Sequence, residues 1–126
     1  MTRKQMEALK NTLPRWEKGN PPILTKKQQI LEKELEIRDM MLSNLVYGSD
    51  YFDMTKQSWY AGNLRKDGYD WDQLEKLGVK NGYKRVQELW EEMKNDFEKH
   101  ATVEQNVYTD CEGVSYNSVS WDDENN

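Results

Sequence analysis

The residues best suited to catalysis in this sequence are too few to form a recognisable active site. The chain has one histidine, His100, and one cysteine, Cys111. A catalytic cysteine reacts as the thiolate, but Cys111 stands between Asp110 and Glu112, whose negative charges oppose that ionisation. The sequence also lacks a Gly-rich phosphate loop, a dinucleotide fingerprint and a G-x-S-x-G motif. We therefore expect a protein that is not an enzyme and uses no cofactor.

Metal binding is no better supported by the residue types. A structural zinc site needs four His or Cys ligands, and this chain has one of each. The acidic residues Asp67, Asp70, Asp72 and Glu75 are reminiscent of a calcium loop, but Gly68 precedes most of them, whereas the glycine of an EF-hand follows its first acids. We expect no metal site and assign Asp70 to the cap of a short helix.

Length and composition predict one folded domain over residues 1–126. Aromatic residues make up 11% of the chain, which is typical of a protein with a core. The net charge of −5 conceals a gradient, because residues 1–27 hold seven Lys and Arg against two Glu, and residues 101–126 hold six acids and no Lys or Arg. The single cysteine and the absence of any apolar run near ~18 residues favour a cytoplasmic protein without a membrane span.

Residues 25–47 are predicted to form the longest helix. They begin with the capping box T-x-x-Q, and Gly48 follows where a left-handed residue is wanted. Apolar side chains cover about half of the circumference at ~100° per residue, so neighbouring segments must enclose this helix. Glu34 and Arg38 fall within the apolar half at i,i+4 spacing, where they can pair with each other.

The remaining segments complete a mainly α fold of four or five helices with a C-terminal β-hairpin. Residues 1–24 predict a short helix that ends at Pro14 and a proline-rich connector. Residues 25–100 predict the helical core, in which an amphipathic helix beginning near Asn81 packs along the longest one. A further helix is expected between Asp53 and Gly68.

The last quarter of the chain changes to the period of β-strands. Residues 101–121 are rich in Val, Thr, Tyr and Ser, and Asp110 to Gly113 can form a turn with a left-handed glycine, so a hairpin is expected. Residues 122–126 are predicted to be a frayed tail. The side chains expected to face the helices are Val103, Val107, Val119 and Trp121.

One hypothesis for the function is binding of DNA or RNA. Residues 71–89, WDQLEKLGVKNGYKRVQEL, have the outline of a degenerate helix-turn-helix. The second helix continues into three glutamates that would repel phosphates. The basic residues that would serve a nucleic-acid-binding protein are Arg3, Lys4, Lys10, Arg15, Lys80, Lys84 and Arg85.

The hypothesis we favour is non-catalytic binding to a macromolecular partner. Seven aromatic residues fall between positions 47 and 71, and Trp59 points about 160° from the apolar stripe of its own predicted helix. Trp combines a large apolar body with a polar N–H and is enriched where proteins bind each other. The residues predicted to contact the partner are Trp59, Tyr60, Asp67, Tyr69, Asp70 and Asp72.

Small acidic chains of this composition resemble the stand-alone inhibitors, anti-CRISPR proteins among them, that phages and mobile elements use against host nucleases, polymerases or defence systems. This resemblance rests on composition and implies a protein partner in the host cytoplasm, one with a nucleic-acid-binding cleft that an acidic surface could occupy. Two alternatives remain open. The chain could be a subunit of a larger assembly, or it could form homo-oligomers through the free edge of the hairpin.

Overall fold

The computed structural model describes residues 2–15, 17–48 and 68–122. Within these ranges the protein has four helices followed by a two-stranded antiparallel hairpin, so it is dominated by helices as predicted. The helix expected after Asp53 lies outside the described residues, and so do Trp59, Tyr60 and Asp67. The elements are α1 (Arg3–Lys10), α2 (Lys26–Val46), α3 (Asp70–Lys76), α4 (Gly82–His100), β1 (Ala101–Thr109) and β2 (Ser115–Trp121).

The predicted ends of α2 are confirmed. Thr25 is the N-cap: its hydroxyl oxygen accepts from the Gln28 N–H at 3.2 Å, and the Gln28 side chain accepts from the Thr25 N–H at 2.9 Å. These bonds satisfy two N–H groups that have no partner inside the helix. Gly48 follows the helix with a φ of +85°, a left-handed conformation that favours glycine.

The core lies between α2 and α4, as expected from their apolar faces. Leu74 of α3 closes one end of it, and partly buried Trp90 and Phe97 pack at its margin. Burying a Leu, Ile or Met side chain contributes about 1.5–3 kcal/mol of transfer free energy, so this cluster is a main source of stability. Its buried members are Ile37, Met41, Leu45, Leu74, Val86, Leu89 and Met93.

The two charged residues inside the apolar half of α2 do not pair with each other, although their spacing allows it. Glu34 accepts from the Nε of Arg85 and from its Nη2 at 3.4 Å, while Arg38 Nη1 lies 3.5 Å from Glu92 Oε2. Both partners belong to α4, which packs against this face of α2. Burial lowers the pKa of Arg38, whereas the hydrogen bond that Arg85 donates to Glu34 raises the pKa of Arg85.

The assignment of Asp70 to the helix cap is wrong. Tyr69 occupies the N-cap position, and its N–H donates to Asp72 Oδ2 at 3.4 Å. Asp70 is the first residue within α3, and its fully buried carboxylate lies 2.9 Å from Lys33 Nζ on α2. Burial raises the pKa of Asp70, and the hydrogen bond and charge of Lys33 oppose that rise. An ion pair with another helix has therefore replaced the local capping bond.

A tight turn joins α3 to α4 and brings their backbones close together. The Val79 N–H donates to the Leu74 carbonyl and the Gly78 N–H to the Glu75 carbonyl, both at 3.0 Å, which is the Schellman arrangement. An ideal Cβ added at Gly82 would lie 2.0 Å from the carbonyl oxygen of Trp71. Only glycine therefore permits this approach of α4 to α3.

A bulge in β1 divides the hairpin into two halves. Glu104 pairs with Ser118 and Tyr108 with Tyr116, so three residues of β1 face one residue of β2. Asn106, in the middle of the bulge, has a φ of +57°. The prediction that Val107 faces the helices is wrong, since the bulge shifts the alternation and leaves Val107 exposed. Val103 and Val119 are half-buried and Trp121 is buried, as expected.

The base of the hairpin is tied to both α1 and α4. The Arg3 N–H donates to Asp96 Oδ2 on α4 at 2.8 Å, and the Arg3 guanidinium lies 4.7 Å from the centre of the Trp121 ring. Phe97 meets the same ring edge-on, with centroids 6.1 Å apart. Trp121 thus joins three elements, and the proximal half of the hairpin is held firmly.

Candidate partner-binding surface

The hairpin tip, defined here as residues 104–118, is the most exposed ordered element among the described residues. Every residue from Glu104 to Tyr116 is exposed except Asp110, which is half-buried. Tyr108 is 62% exposed, Val107 51% and Tyr116 41%. Isolated exposed apolar side chains are common, but several on one projecting strand pair form a patch that water solvates poorly.

The two tyrosines of the tip form a cross-strand pair. Tyr108 and Tyr116 are direct neighbours in register, and their ring centroids are 5.7 Å apart. Along β2, Val119 and Trp121 face the helices and the Asn117 side chain bonds to α2, so Tyr116, Ser118 and Ser120 and their partners on β1 face away from the helices. Within the tip this outward face consists of Glu104, Tyr108, Tyr116 and Ser118, and it continues toward the base of the hairpin in Thr102 and Ser120.

The turn at the end of the tip is closed by Asp110. Its Oδ1 accepts from the N–H groups of Glu112 and Val114, both at 2.9 Å, and its Oδ2 accepts from the Tyr116 hydroxyl at 3.0 Å. These hydrogen bonds, the one from Val114 foremost, hold the pKa of Asp110 below its usual range, and Asp110 in turn raises the pKa of Tyr116. The predicted turn is confirmed, with Gly113 at a φ of +84°.

Asn117 anchors the tip to the end of α2. Its Nδ2 donates to the Val46 carbonyl at 3.1 Å, and its backbone N–H donates to the Tyr47 hydroxyl at 3.3 Å. Its Oδ1 accepts from the N–H of Asn106 in the bulge at 3.2 Å. The Asn117 side chain therefore provides an acceptor for a backbone N–H of the bulge and also holds the start of the tip against α2.

The hairpin is uniformly acidic. Residues 101–122 contain Glu104, Asp110, Glu112 and Asp122 but no Lys or Arg. Asp122 lies at the base, with its Oδ1 2.7 Å from His100 Nδ1. Among the described residues, neither Glu104 nor Glu112 forms an ion pair, so the negative charge of the tip faces solvent.

The only histidine and the only cysteine are not brought together. His100 ends α4 at the base of the hairpin, whereas Cys111 is exposed in the turn at its far end. The nine residues of β1 lie between them, a separation of about 30 Å along an extended strand. The two side chains cannot act as a nucleophile and its base.

The residues predicted to contact a partner are divided by the structure. Tyr69 is exposed and stacks on Trp71 at 4.5 Å, and Trp71 meets the exposed ring of Tyr83 edge-on at 5.5 Å. Asp72 is half-buried beside this aromatic cluster, whereas Asp70 is fully buried against Lys33 and does not reach the surface.

Two of the basic residues predicted to contact nucleic acid, Arg3 and Lys84, lie near opposite ends of α4. Arg3 is held beside Asp96 and Trp121, whereas Lys84 lies in the first turn of α4. Twelve residues of helix separate Lys84 from Asp96, a distance of about 18 Å. Arg85 is engaged by Glu34 across the α2–α4 interface. The exposed members of the set are Lys4, Lys10, Arg15, Lys80 and Lys84.

Sequence reasoning missed Tyr108, Tyr116 and Val114 as surface residues. The available signal was the hydroxyl-bearing residues at every second position of β2, Tyr116, Ser118 and Ser120, because a strand with such side chains on one face is suited to solvent. The bulge could not be read from the sequence, since it depends on Asn106 adopting a left-handed conformation.

Neither a family model, a curated protein nor a solved structure matches this chain. In the part of the chain that the structure describes, no three metal-ligating side chains are grouped so that they could hold an ion. No helix within the described ranges has the length and apolarity needed to cross a membrane.

Proposed function

We propose that this protein binds a macromolecular partner without catalysing a reaction, and that the hairpin tip is its docking element. The observation that carries the proposal is the exposure of Tyr108 and Tyr116 as a packed pair on strands that extend beyond the helices. Tyrosine presents a large apolar ring with a polar end, and such side chains dominate binding energy at protein interfaces.

The rigidity of the tip supports the same proposal. Asp110 accepts three hydrogen bonds within the turn, and Asn117 fixes the tip to α2. A surface that is ordered before binding loses less conformational entropy when the complex forms, so more of the contact energy appears as affinity. The described tip offers contacts but no activated nucleophile. Its binding would therefore modulate or inhibit the partner by occupying a surface of it.

A site-specific crosslinking experiment tests this proposal. A photoreactive phenylalanine analogue is placed at position 108 of the tagged full-length chain and, as a matched control, at position 83, where another exposed tyrosine lies far along the chain from the hairpin. We expect a protein from the source cell to crosslink at position 108 and not at position 83. Equal labelling at both positions, or no adduct at position 108, would contradict the proposal.

Nucleic-acid binding is a second candidate function, and it is favoured by the position of two lysines beside an aromatic cluster. Lys80 and Lys84 are exposed on either side of Tyr83, which belongs to the aromatic cluster with Tyr69 and Trp71. Lysines beside exposed aromatic rings are suited to single-stranded nucleic acid. Retention on single-stranded DNA at low salt should fall steeply with added salt and be lost in the K80A/K84A variant. The matched control is K26A/K27A, at two exposed lysines of α2.

A further inference from the structure

The outward face of the hairpin tip has the composition of a recognition surface. Its tyrosine pair is followed along β2 by Ser118 and Ser120 and along β1 by Glu104 and Thr102. Tyrosine supplies rigid contact area with few rotatable bonds, and serine supplies adaptable hydrogen bonds, a combination that antibody paratopes share. The geometry therefore favours binding through this face.

Pairing through the strand edge is less well supported. The N–H of Asn117 on β2 already donates to the Tyr47 hydroxyl, and the bulge interrupts the regular ladder of β1. An added strand needs a continuous row of free N–H and C=O groups along one edge.

The negative charge of the tip indicates which kind of partner surface it can bind. Glu104 and Glu112 are exposed, and residues 101–122 supply no cation to neutralise them. A second copy of the chain that docked with its own hairpin would bring the same acids to the interface, and like charges oppose association. A cationic surface is complementary in charge. Arginine can interact with both the tyrosine rings and the carboxylates of this face. Its guanidinium stacks on aromatic rings and binds carboxylates with two parallel hydrogen bonds, whereas a lysine ammonium is a compact, strongly hydrated charge.

We infer that the outward face of the hairpin tip binds an arginine-rich protein surface, of the kind that lines clefts for nucleic acid. This inference rests on the proposed function and adds to it the chemical identity of the surface that is bound. Tyr108 and Tyr116 receive guanidinium groups, and Glu104 on the same face and Glu112 in the adjoining turn pair with them.

The test uses the ¹⁵N-labelled full-length chain and two peptide probes, deca-arginine and deca-lysine, at low ionic strength. We expect amide shifts centred on residues 102–120 and a roughly three- to fivefold tighter dissociation constant for deca-arginine. Tyr108→Ser should remove most of that preference, because serine lacks the aromatic ring on which a guanidinium stacks. The substitution should leave the fold intact, since no described hydrogen bond involves the Tyr108 side chain. The E104Q/E112Q variant should weaken binding of both peptides, whereas E91Q/E98Q, at two exposed acids of α4, should leave the shifts on the hairpin in place.

Three results would overturn the inference. These are equal affinity for the two peptides, shifts centred on the helical acids, and a concentration-dependent dimer that Tyr108→Ser abolishes. The last result would assign the face to a second copy of the chain. If a partner crosslinks at position 108 while the arginine preference is absent, docking through the tip stands and the arginine-rich partner is rejected.

Discussion

The side-chain amide of Asn117 in β2 donates a hydrogen bond of 3.1 Å to the backbone carbonyl of Val46, at the last residue of α2. A helix leaves its final carbonyls without partners inside the helix, and here the hairpin supplies one of them. The same amide accepts from Asn106 in the bulge. The side chain of Asn117 therefore joins the bulge of β1 to the end of α2.

Replacing Asn117 with alanine removes both hydrogen bonds of its side chain. We expect a loss of about 2 kcal/mol in the free energy of unfolding, since each bond contributes about 1 kcal/mol. Urea denaturation measures the loss, and hydrogen exchange should accelerate at Val119. The neighbouring exposed residue provides the control, because Ser118→Ala should change stability by less than about 0.5 kcal/mol. A stable N117A variant with unchanged exchange would show that the anchor lies elsewhere.

The buried pair of Lys33 and Asp70 should behave as a coupled unit. K33M leaves the carboxylate of Asp70 buried without its cation, and we expect it to cost about 3 kcal/mol of stability. D70N combined with K33M removes both charges, so the double variant should recover much of that loss. A double-mutant cycle from chemical denaturation gives the coupling energy. Additive effects of the two substitutions would contradict the ion pair.

Gly82 should not tolerate even the smallest side chain. In G82A the new Cβ would meet the Trp71 carbonyl, 2.0 Å away before any adjustment. We expect a loss of about 3 kcal/mol in unfolding free energy, at the upper end for overpacking, because backbone rather than a flexible side chain must move. Gly19 is the control, since its Cβ would meet nothing within 4 Å. G19A should cost only about 1 kcal/mol for its left-handed backbone.

The turn at Asp110 should loosen in acid. A carboxyl group whose folded-state pKa is lowered stabilises the structure above its ordinary pKa, and that contribution is lost as the pH falls through the lowered value. The amide shifts of Glu112 and Val114 and the contact between the two tyrosine rings should therefore change together below about pH 4. The D110N variant keeps an acceptor oxygen but cannot titrate, so its turn should be insensitive over this range. A wild-type turn unchanged by acid would refute the assignment.

The local features of the fold were predictable because they depend on neighbouring residues. Thr25 with Gln28 marked the start of α2, Gly48 marked its end, and the turn from Asp110 to Gly113 was readable from residue types. The packing of α4 on α2 also followed from matching apolar faces. These signals come from residues a few positions apart in the sequence, and at that range the spacing of the residues determines which of them can form hydrogen bonds.

The unpredicted features arise from contacts between distant parts of the chain. Arg38 and Glu34 form ion pairs with residues of α4 and not with each other, and Asp70 pairs with Lys33 instead of capping α3. Spacing along one helix cannot reveal which opposing charge another helix supplies. The candidate docking surface was anticipated only as a hairpin edge, because the bulge that exposes Val107 depends on a left-handed Asn106.

The bulge and the Asn117 anchor separate the hairpin tip from the helical body in one further respect. Since residues 107–109, 111, 112, 114 and 115 are exposed and lie outside the hydrophobic core, exchanging them should have little effect on the free energy of unfolding, provided that Gly113 and Tyr116 are kept for the turn. Selection could thus vary the tip while the body stays constant. The same division makes the chain a scaffold on which an engineer could graft new recognition sequences at the turn.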